Sequence, residues 1–243
     1  MTTRWFLVAW LAASASPASA GRKDFAWLYD TEINPERNVE IETWIQEENR
    51  KGDNQVNETL IWWAPTIGVT QHLELAIPIE FAYADDKMGF APTKLERWGG
   101  ELRYRINTPD PAAAAPVQVL LRGAVKRAVD DRGGVRGEAD LVVSFGDDPV
   151  RVLADVGGVV NYGKDPTEAE VRPALGISLR LTDELRIGVE GYSEIVVAAD
   201  DVTWLAVGPD FSWTHGRFWL VAGYPIGVFG IKDAPRVSFG IAF

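Results

Sequence analysis

The sequence predicts an all-β chain, an antiparallel up-and-down transmembrane β-barrel of about 12 strands that follows a cleaved signal peptide. Three observations predict it. Apolar residues alternate at period two over long stretches and seldom recur at the helical period. After the leader, no apolar run approaches the roughly 18 residues that a transmembrane helix requires. The alternation also runs to the last residue: in VSFGIAF, Val237, Phe239, Ile241 and Phe243 share one face and Ser238, Gly240 and Ala242 the other. In a soluble sandwich that strand would be an unprotected edge, whereas a closed barrel has no edge.

The leader is residues 1–20. Arg4 is its only charge, an apolar stretch runs from Trp5 to Ala13, and it ends on the small residues Ala18, Ser19 and Ala20. This is the pattern of a secretory signal cut between Ala20 and Gly21, and its apolar part is too short to span a bilayer. Residues 21–36 form a second unit that belongs to no lipid-facing strand. Its DFAWLYD, with three aromatics among charges, is expected to dock in the lumen or at the periplasmic rim; the alternative is a mobile tail. The barrel itself is expected over 37–243.

Composition limits what the mature chain does. A formal charge of −11, one unit more negative once Arg4 is removed, argues against nucleic acid as a partner. An exported chain without cysteine has no disulfide framework and no thiolate metal site, and only His72 and His215 remain as imidazole ligands. No cofactor and no metal are expected.

The strands follow in order. HLELAIPIEFAYA sets Leu73, Leu75, Ile77, Ile79, Phe81 and Tyr83 against His72, Glu74 and Glu80. VRPALGISLRL and LRIGVEGYSEIVV repeat the pattern. Twelve strands are expected, at 37–49, 55–67, 72–84, 95–107, 116–129, 135–145, 150–162, 170–181, 185–197, 203–214, 217–226 and 235–243. The connections test this count, because outer-membrane barrels alternate short periplasmic turns with longer outer loops. The inner connections GVTQ, GDDP, TDE and HG are short, and only TPDPAAAA is long; the outer ones, such as DDKMGFAPTK and GVFGIKDA, are mostly longer. Two inner turns share a spacing, Thr70 with Leu73 and Leu75, and Thr182 with Leu185 and Ile187. Proline opposes the picture, since Pro78 and Pro209 fall mid-strand, and bulges are expected at both. The tryptophans lie mostly near strand ends, the depth that suits their amphipathic rings in a bilayer.

VSFGIAF resembles the C-terminal signal of Gram-negative outer-membrane barrels, with Val237, Phe239, Ile241 and Phe243 as the assembly signal read by the barrel-assembly machinery. FAWLYDTEINPERNVEIETW, followed by IGVTQHLELAIPIEF, resembles a group of small outer-membrane proteins described as transporters or porin-like. The resemblance covers the first third of the mature chain and the last strand. It implies the bacterial outer membrane as location and its lipid as a partner, and it carries over no catalytic residue.

On the polar faces, Glu40, Glu42, Glu74 and Glu80 line the early strands, and Arg97, Glu101, Arg103, Arg105, Arg122, Lys126 and Arg136 the next. Opposed rows of charge across water would favour ions or small polar solutes, so a narrow channel or transporter with a charged lumen is one reading. In the other, long side chains from opposite walls pair and fill a non-conducting, structural or receptor-like barrel. A secreted soluble β-protein is the third. An enzyme is not expected, because His72 and His215 sit at inner turns and no nucleophile, metal or phosphate motif is present.

Overall fold

The computed structural model describes residues 23–51, 57–86, 89–90, 93–107, 117–130, 133–146, 149–163, 167–198 and 202–243. The expected signal peptide and the whole of TPDPAAAA lie outside these residues. The long strands of the described chain form twelve staves. They are β1 (Val39–Arg50), β2 (Asn57–Gly68), β3 (Leu73–Ala76, continuing as Ile79–Asp86), β4 (Lys94–Arg105), β5 (Val117–Ala128) and β6 (Val135–Phe145). After them come β7 (Val150–Tyr162), β8 (Glu168–Arg180), β9 (Leu185–Ala198), β10 (Trp204–His215), β11 (Phe218–Gly223, continuing as Ile226–Phe229) and β12 (Ile231–Asp233, continuing as Arg236–Ala242). Each stave pairs antiparallel with its neighbours in sequence, and β12 returns to β1 through Glu40↔Ala242 to Gln46↔Arg236. The sheet is therefore closed and has no free edge.

Closure sorts the side chains by strand parity. Ile77, Leu102, Val125, Val156, Leu175 and Ile187 face outward and stay exposed, while Glu74, Glu101, Arg103 and Arg122, on the opposite faces, are buried. A barrel with an apolar outside and a charged inside suits lipid around it. Trp63, Trp98 and Trp213 face outward and are exposed, but of these only Trp213 lies near a strand end. Trp62, Trp204 and Trp219 are buried, so the positions near strand ends did not reveal which way the rings point.

The two threonine turns share one construction. Thr70 Oγ1 accepts from the amides of His72 and Leu73, and Thr182 Oγ1 from those of Glu184 and Leu185. A hydroxyl that caps two amides in this way pre-forms the turn.

Pro78 and Pro209 bring no bulge. The β2–β3 register is the same from Gly68↔Glu74 to Asn57↔Asp85, and Val189↔Pro209 lies in an unshifted β9–β10 ladder. In an antiparallel ladder a residue exchanges both of its hydrogen bonds with one neighbour, so a proline forfeits one bond on one side and the register survives. The carbonyls still accept, Pro78 from Gly99 and Pro209 from Tyr224, both at 3.0 Å. The breaks in β3, β11 and β12 lie opposite Pro65, Pro209 and Pro225, whose carbonyls accept from Ile77, Tyr224 and Ala234. The register does shift elsewhere, at Glu80/Phe81 against β4 and at Leu205/Ala206 against β11. GVFGIKDA is likewise not a loop. The strands run on through it to a turn at Gly230, whose φ of +72° suits a residue without a side chain.

Candidate functional site: the occupied lumen

The site is built from two layers, the charged inner wall and a segment inside it. On the wall, Arg103 bonds Glu42 at 3.0 Å, Glu74 at 2.7 Å and Glu101 at 2.7 Å. Arg122 bonds Glu101 at 2.7 Å, Glu138 at 2.7 Å and Asp140 at 2.6 Å. Lys126 joins Glu138 at 2.8 Å to Glu80 at 2.5 Å, and Glu80 also meets Arg97 at 3.0 Å. Arg136 reaches Glu138 at 2.6 Å. The result is one continuous network over β1, β3, β4, β5 and β6. Guanidinium groups fork between carboxylates, which satisfies buried charge in the way that is least costly.

Most of the candidate lumen residues are thus brought together. Glu40 accepts from the Trp219 indole N–H. Arg105 lies at the turn end, where its Nη2 donates to the Gln71 carbonyl at 3.4 Å. The acidic and basic rows do not oppose each other across water, because Arg103 reaches over to Glu42 and ties them. At the seam, Val237, Ile241 and Phe243 face outward and are exposed, and Phe239 is half-buried. Both histidines sit at the turn end: His72 Nδ1 pairs with the Arg105 carbonyl at 2.8 Å, and His215 Nδ1 with Glu184 at 2.7 Å. That pairing holds the exposed Glu184 carboxyl below its ordinary value.

Inside this wall lies residues 23–38. Phe25, Ala26, Trp27, Leu28 and Ile33 form the buried apolar cluster together with Leu120, Leu153, Trp204 and Val221 from the staves. The Trp27 amide donates to Glu190 and its indole N–H to the Ala234 carbonyl, both at 2.9 Å. Asp24 meets Arg151 at 3.0 Å and Arg186 at 3.3 Å, and Arg151 also holds Asp30 at 2.8 Å. Thr31 Oγ1 is 2.9 Å from Ser144 Oγ, and the Asn34 amide donates to Glu74 at 2.6 Å. Gly176 leaves the space that the Phe25 ring occupies, since a Cβ there would run into it. Contacts on staves all around the barrel fix the segment in its lumen.

Two cavities flank it. One of about 290 Å³ lies toward the loop end, and Trp27, Tyr29, Trp44, Arg122 and Arg236 are among its lining. A smaller one of about 40 Å³ lies toward the turn end. Among the described residues, no group of three His, Cys, Asp or Glu could hold a metal ion.

Arg151, Arg186, Glu190 and Arg236 were not singled out from the sequence. Their positions on polar strand faces were the available signal, but their importance depends on a segment remote in sequence.

No protein-family model and no curated protein sequence matches the chain. Solved structures do. An outer-membrane channel from Pseudomonas putida F1 superposes with a TM-score of 0.58 at 10% identity, covering 89% of this chain and 99% of that one. The NanC porin gives 0.56 at 8% identity, over 82% and 98%. The β domain of the Bordetella autotransporter BrkA gives 0.54 at 10% identity, over 85% and 99%. By fold, this is a closed antiparallel β-barrel of twelve staves, the architecture that these outer-membrane proteins share. The apolar exterior supplies the physical reason for a membrane location. Porins, a channel and an autotransporter domain share the architecture, so the likeness carries no substrate.

Proposed function

We propose that the protein is an outer-membrane barrel held closed by its own N-terminal segment, with a charged loop-side cavity that admits small polar solutes. The observation that carries this reading is the segment from Lys23 to Asn34, its Trp27 buried in the lumen and its contacts reaching the inner wall from β1, through Lys23 and Glu42, round to β12. A lumen filled in this way has no standing water column, so conduction through it requires the segment to leave. The wall network supports the same reading: its charges bond one another and the segment, and few are left to contact a passing ion.

The chain has no cysteine, which permits a clean test. Thr31→Cys with Ser144→Cys places two thiols where the hydroxyls are 2.9 Å apart. In membranes the pair should form a disulfide under mild oxidation, and the cross-linked barrel should be silent in a planar bilayer. A variant with 24–34 replaced by a Gly/Ser linker should show discrete, salt-dependent steps. Steady conductance from the cross-linked protein would overturn the closed reading.

A further inference from the structure

Most cations in the lumen are bound to carboxylates, but the half-buried Arg236 is not. Its guanidinium lies between two indole rings, 5.3 Å from the Trp27 centroid and 4.4 Å from that of Trp44. Its Nε has no hydrogen-bond partner, and among the described residues no carboxylate comes within ion-pair distance. Arg236 also lines both cavities, so it stands between the loop-side space and the smaller void beneath.

Stacking satisfies the faces of a guanidinium, and its edge, where the N–H donors lie, still needs acceptors. The Nε is buried without an acceptor, which is costly, and the neighbouring arginines show how this chain normally meets that need. Here the wall supplies Trp44 and the lumen segment Trp27, where the wall elsewhere supplies Glu or Asp. The missing acceptor is best matched by a planar, two-oxygen anion, which a guanidinium binds through two parallel bonds.

We propose that Arg236, held between Trp27 and Trp44, is the binding site for the carboxylate of a small organic acid that occupies the loop-side cavity. A space of about 290 Å³ holds a compact molecule and no polymer. The indoles offer apolar surface to the carbon part of such a ligand, and the surrounding Glu48, Arg172 and Glu194 offer acceptors and donors to its other polar groups. The site rests on the closed reading in one respect, since Trp27 belongs to the lumen segment.

The test uses the full chain in detergent, titrated with sodium propionate at constant ionic strength while tryptophan fluorescence is followed, with propylammonium chloride as the cationic control. Propionate should give a saturable change, and propylammonium none. Arg236→Gln should weaken the propionate response by on the order of tenfold or more. Because Arg236 bonds no carboxylate directly and acts on Glu190 only through space, this variant should lower the thermal midpoint less than loss of a paired arginine does. An unsaturable response, an equal response in Arg236→Gln, or equal competition by chloride would overturn the assignment. The Thr31→Cys, Ser144→Cys cross-link reads the closed lumen separately, so a cross-linked barrel that ignores propionate refutes this site alone.

Discussion

The Arg122 guanidinium lies 4.1 Å over the ring of Tyr29, so one side chain of the wall network also covers the lumen segment. Arg122 already bonds Glu101, Glu138 and Asp140. Arg122→Gln would leave those three carboxylates short of their shared cation, in a buried setting where an uncompensated charge costs about 3 to 5 kcal/mol. Arg105→Gln, at a half-exposed position with one long backbone contact, should stay within about 0.5 kcal/mol. Thermal unfolding of both variants in micelles checks the contrast, and equal midpoints would remove the network from the account of stability.

How far the sequence carried depends on the range of each interaction. Parity along a strand is local, so Ile77 out and Glu80 in could be read from HLELAIPIEF without knowing their neighbours. The threonine turns were legible for the same reason, because each hydroxyl caps amides two and three residues away. The partner of Arg103 was not legible: Glu42 lies 61 residues away, and only stave order and stagger bring them together. Trp27 and Ala234, 207 residues apart, lie further still. The prolines misled because a mid-strand proline reads as a ladder defect. Here each forfeits a single bond, Pro78 within the break of its own stave and Pro209 opposite a break in the next, and the register is unchanged.

Strand orientation makes a separate prediction. Ile77 is 58% exposed on the outer surface, and Glu80 is buried between Lys126 and Arg97. Ile77→Arg puts a charge against lipid and should cost about 2 to 4 kcal/mol if the position lies near the midplane. Glu80→Gln should cost less, because Lys126 retains Glu138 and Arg97 retains Glu96. Urea unfolding in lipid vesicles measures both, and a larger loss at Glu80 would invert the assigned faces.

The outward face of β12 is the stretch proposed for recognition during assembly. Ile241 and Phe243 are exposed there, and the Phe243 amide closes the seam by donating to the Val39 carbonyl at 2.9 Å. Phe243→Ala keeps that backbone bond and removes only the ring. It should therefore lower the amount reaching the outer membrane without lowering the stability of what folds. Blotting of membrane fractions beside melting of the purified variant separates the two effects, and unchanged accumulation would remove Phe243 from the signal.

The seat of Phe25 offers the most direct control over the lumen. Gly176 lies in β8 between Leu175 and Ile177, which face lipid, so its missing side chain points toward the interior, where the Phe25 ring approaches its backbone. Gly176→Val introduces branched bulk into that space, and valine suits a strand, so β8 should tolerate it. The clash falls on the segment, whose other ties, Asp24 to Arg151 and Trp27 to Glu190, require the same placement. The expected outcome is a folded barrel with the segment displaced, visible as new protease cleavage within 23–38 and as conductance absent from the parent. Gly176→Val combined with Phe25→Ala removes the clash and should restore protection. If the single variant stays closed and protected, Phe25 does not hold the segment in place. If it unfolds and Phe25→Ala does not rescue it, Gly176 serves the sheet and not the lumen.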